Sequence, residues 1–210
     1  MPAFKTHLVG GITGGGVASV ASLMLYDLST IQTFSVFIVG TIGGLLPDLD
    51  SDSGKPLSLL FGLISVLIPA IALPHIFQQD VPSPEFLVTY FVLAYFFINT
   101  VICGIINKMT VHRGIMHSIP FAVLCGGFGY LIFVSSGRHM AAAAGFAVFF
   151  GCMIHLILDE FNSFTLKLGI IPWPKRSSGT ALKVKSDSLM ITIFIYLNVF
   201  IVFVSIGFLY

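Results

Sequence analysis

The chain has 210 residues, of which 56% are hydrophobic and only 9% charged, with 21 Phe and a mean hydropathy of +1.00. Soluble domains carry about a quarter charged residues, so this composition excludes a water-soluble globule and demands a bilayer. Ten basic and nine acidic residues leave a formal net charge of +1, which gives no reason to expect a nucleic-acid partner.

Apolar runs follow one another at 8–26, 32–47, 57–74, 86–106, 116–135, 140–158 and 188–209. A helix crossing about 30 Å of hydrocarbon needs roughly 20 residues. The runs therefore predict an all-α polytopic membrane protein of about seven transmembrane helices, with 1–210 as a single transmembrane helical domain. The first run, with Lys5 ahead of it, has the outline of a signal peptide. Gly10, Gly11, Gly14, Gly15 and Gly16 interrupt its apolar core, and cleavage would discard His7, so the run is read as a retained helix. Those glycines form small-xxx-small pairs that allow close helix packing. The second run is short and ends at Pro47, which predicts an irregular segment partly inside the protein envelope. Asn99 is the notable polar residue inside the fourth run, read as bonding a neighbouring backbone group.

Seven spans with the N-terminus in the cytoplasm would put Lys5, Lys55, Lys108, Arg113, Lys167, Lys175, Arg176, Lys183 and Lys185 on one side and Arg138 alone on the other. That asymmetry follows the positive-inside rule and predicts a C-terminus outside. Cys103, Cys125 and Cys152 all lie in apolar runs without CxxC spacing and read as small buried hydrophobes. The long polar connection 162–187, with Trp173 between Pro172 and Pro174 and then Lys175 and Arg176, reads as an anchor on anionic headgroups. A sharper reading makes it a lid that gathers a phosphorylated lipid.

Ionisable residues are expensive near hydrocarbon and usually mark function. Here they recur at one end of the predicted helices: His7, Asp48, Asp50, His112, His117, His155 and Asp159. Asp48, Asp50 and Asp52 alternate, so in an extended segment they would point the same way and require a cation or protons between them. The closing Glu of an EF-hand is missing, which argues against calcium storage. In His112-Arg113-Gly114-Ile115-Met116-His117-Ser118, imidazoles offer metal ligands or a base and Arg113 offers a fork that fits a phosphate or carboxylate. Ser118 before Pro120 also reads as a helix cap. His155 and Asp159, four apart, share a helical face, where both can touch one ion or Asp159 can orient the imidazole. His75 and His139 fall on the other side of this topology and are excluded from the site.

Lys5-Thr6-His7, Gly44-Leu45-Leu46-Pro47-Asp48-Leu49-Asp50, the His112 to Ser118 motif and His155-Leu156-Ile157-Leu158-Asp159 together resemble the YdjM-like family. Its members are LexA-binding, inner membrane-bound proteins designated metal-dependent hydrolases. The resemblance implies a multi-pass protein of the bacterial inner membrane with a divalent-metal centre. Met116 departs from the small polar Thr usual in the motif, which makes the pocket more apolar without removing a ligand.

These residue types predict a divalent ion, zinc or manganese ahead of magnesium, held by some of His7, Asp48, Asp50, His112, His117, His155 and Asp159. The expected activity is hydrolysis at the cytoplasmic face, on a phosphoester of a lipid or other amphiphile. Arg113 would neutralise developing negative charge, and Asp48 or His117 would act as general base. Membrane lipids are the expected partners. An ion or small-solute transporter using the same residues, or a nonenzymatic scaffold with a structural metal, are the alternatives. The crowding of polar groups at one face favours surface chemistry over a path across the bilayer.

Overall fold

A computed structural model describes residues 4–50, 54–77, 83–102, 104, 116–167, 171–174, 182–186 and 188–209. Seven α-helices are resolved among them: α1 (Phe4–Tyr26), α2 (Thr30–Gly43), α3 (Gly54–Ile76), α4 (Pro84–Phe96), α5 (Ile119–Ile132), α6 (Arg138–Phe161) and α7 (Leu189–Gly207). A 3₁₀ turn, Leu46–Asp50, follows α2, and a π-helical segment, Phe97–Ile102, extends α4. The connection after α6 carries a short antiparallel hairpin, β1 (Phe164–Lys167) and β2 (Ile171–Pro174), in register with Thr165 opposite Trp173. The helical reading of the sequence had no place for this hairpin.

The expectation of about seven spans is corrected to five among the described residues. Helices long and apolar enough to cross a membrane run over Phe4–Tyr26, Thr30–Asp48, Pro84–Ile102, Arg138–Phe161 and Leu189–Gly207. Of the two shorter apolar stretches among the described residues, Ile119–Ile132 is a helix of 14 residues, about 21 Å and short of the ~30 Å core, and Phe61–Pro74 is a part of α3. Pro69 and Pro74 lie inside α3 without ending it, and α5 is bounded by the Ser118 cap and by Phe133. In α5 apolar character thus continues in sequence beyond both ends of the helix. The assignment of sides that rested on seven crossings falls with that count.

Contacts divide the chain into two units, Met1–Asp48 with Arg113–Tyr210, and Leu49–His112. In the second unit, Asn99 in the π segment of α4 donates to Ser65 Oγ of α3 and to Tyr95 O, and the Tyr90 hydroxyl donates to Pro69 O. These bonds satisfy polar groups that hydrocarbon would not. Asn99 therefore reaches a neighbouring helix as well as its own backbone.

The first unit holds α1, α2, α5, α6 and α7. Its centre is α6, the most buried of the spanning helices. Ala143, Ala144 and Ala147 of α6 pack with Ala18 of α1 and Val36 of α2 in one core, where small side chains let the helices draw close. Ala122 of α5 packs with Val148, Cys152 and Leu156 of α6. α7 covers α5 through Ile195 and Val202 against Leu124, and leaves Phe194, Phe200 and Phe203 exposed. Ser29 begins α2 with a capping box, its side chain accepting from the Gln32 N–H while the Gln32 side chain accepts from the Ser29 N–H. Cys152 is buried and its thiol donates to Gly43 O at 3.1 Å, consistent with its reading as a packing residue.

Candidate metal centre

Three glycines determine where the functional side chains of the first unit meet. A Cβ on Gly11 of α1 would lie 2.8 Å from Thr41 O, one on Gly44 would lie 2.5 Å from Gly11 Cα, and one on Gly151 of α6 would lie 2.7 Å from Gly44 N. Real Cβ atoms do not approach backbone so closely, so α1, the end of α2 and α6 touch main chain to main chain. His7 precedes Gly11 by four residues, Asp48 follows Gly44 by four, and His155 follows Gly151 by four. All three side chains therefore emerge about one turn beyond the same contact. Asp159 is a further turn along α6, and His117 precedes the first turn of α5, where Ser118 Oγ accepts from the Phe121 N–H.

Asp48 sits in the 3₁₀ turn, not in an extended segment as its alternation with Asp50 suggested. At about three residues per turn, positions two apart no longer share a face. Pro47 is fully buried at this turn, so the chain bends inside the protein and carries Asp48 inward.

The side chains so placed form a closed cluster: His7 is 3% exposed, His117 2% and His155 1%. His155 Nε2 lies 3.6 Å from Asp48 Oδ1 and 3.7 Å from Asp159 Oδ2. His117 Nε2 lies 3.3 Å from Asp159 Oδ2 and 3.9 Å from Asp48 Oδ1, and His7 Nε2 is 3.4 Å from Asp159 Oδ1. The rings of His7 and His155 stack with centroids 3.8 Å apart.

One hydrogen bond decides the chemistry of His155. Its Nδ1 is 2.7 Å from Gly44 O. A carbonyl only accepts, so Nδ1 carries a proton, and in the neutral imidazole Nε2 then presents a lone pair. That lone pair is buried without a hydrogen bond and faces two carboxylates, which are acceptors as well. Leaving a buried polar group unsatisfied costs about 1–3 kcal/mol, and acceptors facing acceptors repel unless a cation lies between them. A ligating imidazole whose other nitrogen donates to a main-chain carbonyl is the arrangement expected around a metal.

The spacing supports the same reading. Around a tetrahedral zinc with bonds of about 2.0–2.2 Å, donor atoms are about 3.3–3.6 Å apart. The five separations above run from 3.3 to 3.9 Å. His7, Asp48 and His155 form one group able to hold an ion, and His117, His155 and Asp159 form another. The donor set of imidazole and carboxylate suits a divalent metal ion.

Of the residues singled out in the sequence, His7, Asp48, His117, His155 and Asp159 come together. His112 and Arg113 lie outside the described residues, as do the side chain of Asp50 and the Lys175–Arg176 pair. His139 stacks on Tyr26 at the far end of α6 from His155. Sequence reasoning read the run Gly40 to Gly44 as allowing close backbone contact but gave no role to the Gly44 carbonyl, which sets the tautomer of His155. The available signal was the Gly43-Gly44 pair one turn before Asp48, which marks main chain exposed to a neighbour.

The entire chain, residues 1–210, matches the family model described as YdjM inner membrane protein. No curated protein and no solved structure matches it.

Proposed function

The chain belongs to the YdjM inner membrane protein family and is a multi-pass inner-membrane protein; from that premise we propose that it is a metal-dependent hydrolase acting at the cytoplasmic face on a phosphoester of a lipid or other amphiphile. The observation that carries this reading is the His155 Nε2 lone pair, oriented by Gly44 O towards Asp48 and Asp159 at donor spacings that fit an ion. A divalent ion held there supplies Lewis acidity and a strong water nucleophile at neutral pH.

The remaining roles belong to side chains. A catalytic zinc keeps three protein ligands and an open position, so five donors leave two over. If His7, Asp48 and His155 hold the ion, His117 is left to move a proton; if His117, His155 and Asp159 hold it, Asp48 is. Asp48, with its side chain 12% exposed, is the most open of the cluster residues for which Asp159 shows 7% and the histidines 0–3%. Arg113, four residues before His117 in sequence, is assigned to neutralise charge on the phosphoryl oxygens.

Two features support this over transport. In the first unit, buried polar side chains along α1 beyond the cluster are Ser19 and Ser22, and Ser19 spends its hydroxyl on Gly16 O. They offer no relay of ionisable groups. Lys5 lies two residues from His7, and Lys183 is bridged to Ser118 through the Ile119 N–H to Lys183 O bond. Arg138 marks the opposite end of α6. Basic residues at the cluster end support a cytoplasmic site.

The test combines metal analysis of the detergent-purified protein with phosphate release from phospholipid and prenyl-phosphate substrates. Co-purified zinc or manganese with phosphate release dependent on Asp159 is expected. A folded, metal-loaded protein inactive on all of these and on peptides would reject the hydrolase reading, and a protein that binds no divalent ion would reject the centre itself.

A further inference from the structure

The seam between α1 and α6 has an exposed side as well as the side that carries the cluster. There, Lys5, Thr6, Gly10 and Thr13 of α1 and Ile154 and Leu158 of α6 line a cavity of about 550 Å³. That is within the range of small-molecule sites, roughly 300–1,000 Å³. We propose that this cavity seats one hydrocarbon chain of an anionic phospholipid, with the lipid's phosphate at Lys5. The inference rests on the functional reading above and names the substrate class as a membrane-resident anionic lipid.

The lining fits a chain. Ile154, Leu158 and Val9 are apolar, and Gly10 adds no side chain to the lining but lets Leu158 pack against the main chain of α1, since a Cβ there would come within 2.5 Å of Leu158 Cδ1. Thr13 donates its hydroxyl to Val9 O at 2.9 Å, so it leaves no unmet donor in the lining. From Lys5 to Thr13 the helix rises about 12 Å, which runs from the interface towards the hydrocarbon.

The mouth fits a phosphate. Lys5 is the one charged side chain in the lining and is exposed, placed where a long cationic side chain reaches the headgroup level. His7 is two residues further, and its Nε2 lies 3.4 Å from Asp159 Oδ1. A phosphoester held at Lys5 thus stands at the level of the cluster, whose α6 ligands His155 and Asp159 each adjoin a cavity-lining residue in sequence.

The experiment uses the full chain in phosphatidylcholine nanodiscs doped with phosphatidic acid bearing a photoactivatable acyl chain. A second arm carries the same photoactivatable chain on phosphatidylcholine. Cross-linked peptides are mapped. Labelling should concentrate on 5–13 and 154–158, above that on the exposed face of α7, with a preference of about fivefold for phosphatidic acid, as expected for one lysine at an anionic surface. Lys5→Gln should remove the headgroup preference and keep chain labelling, whereas Thr13→Trp, at an exposed position, should reduce both several-fold. Gly10→Val, narrowing the cavity against Leu158, should act in the same direction. Equal labelling of α7, no preference between the two lipids, or undiminished labelling of both filled variants that still unfold at the wild-type temperature would overturn the proposal. Asp159→Asn separates it from the hydrolase reading, because labelling should persist there while bound metal and phosphate release are lost. Metal binding and turnover without localised labelling would defeat the lipid seat alone.

Discussion

Gly11→Ala tests whether helix contact is what assembles the cluster. The added Cβ would lie 2.8 Å from Thr41 O and 3.5 Å from Gly44 Cα. Thr41 O is main chain and cannot rotate away, so α1 must retreat from α2 by about 0.6 Å to restore an ordinary contact near 3.4 Å, with overpacking of this kind costing about 1–3 kcal/mol. His7 rides on α1 four residues away and would shift by a similar distance. Metal sites tolerate about 0.2 Å in bond length, so the displacement exceeds what the shell can absorb without rearrangement. The expected result is at least a tenfold loss of zinc affinity, with a lower unfolding temperature. Gly16→Ala is the control on the same helix: nothing lies within 4 Å of its Cβ, and replacing glycine within a helix gains about 0.8–1 kcal/mol. It should bind metal as the parent does and unfold at the same or a higher temperature. The assay is equilibrium dialysis of the detergent-solubilised protein against buffered zinc, alongside thermal unfolding. Wild-type zinc affinity in Gly11→Ala would refute the claim that this contact positions His7.

Removing a ligand should act more severely than moving one: His155→Ala and Asp159→Asn should each lower zinc affinity by on the order of 100-fold, at or beyond the upper end of losses from supporting residues, read by elemental analysis after dialysis. Arg113→Lys should leave bound metal unchanged and lower phosphate release about 10²-fold, the scale for losing one preorganised donor to a transition-state oxyanion; equal turnover would remove Arg113 from the chemistry. Ser29→Ala deletes the acceptor for the Gln32 N–H and should cost about 1 kcal/mol of stability without altering metal affinity, since it lies at the other end of α2 from Asp48. A cysteine introduced at Lys185 should react with an impermeant maleimide added to inverted vesicles and stay unlabelled in intact cells; the reverse pattern would put the cluster outside.

Composition alone dictated the solvent, because 9% charged residues cannot cover a water-facing surface. The rarity of ionisable groups then made the chemistry conspicuous: His7, Asp48, His117, His155 and Asp159 stood out without a structure, since each must answer for its presence near hydrocarbon. His155 and Asp159 could even be paired, because a helix puts residues four apart on one face. Local rules stopped at element ends. The apolar run 116–135 continues past both ends of Ile119–Ile132, and hydrophobicity does not record where a cap or a turn stops hydrogen bonding, so the count of spans came out too high. The alternation of Asp48 and Asp50 suggested an extended strand, whereas burial of Pro47 against the first unit favoured a 3₁₀ turn that carries Asp48 inward. What brought α1, α2, α5 and α6 to one point was invisible along the chain, because a glycine's value lies in the neighbour it admits. Only packing revealed that Gly11, Gly44 and Gly151 share one contact. The same packing aims the Gly44 carbonyl at His155 Nδ1 and leaves Nε2 for an ion, a choice of tautomer that no sequence encodes locally, since the acceptor lies 111 residues away.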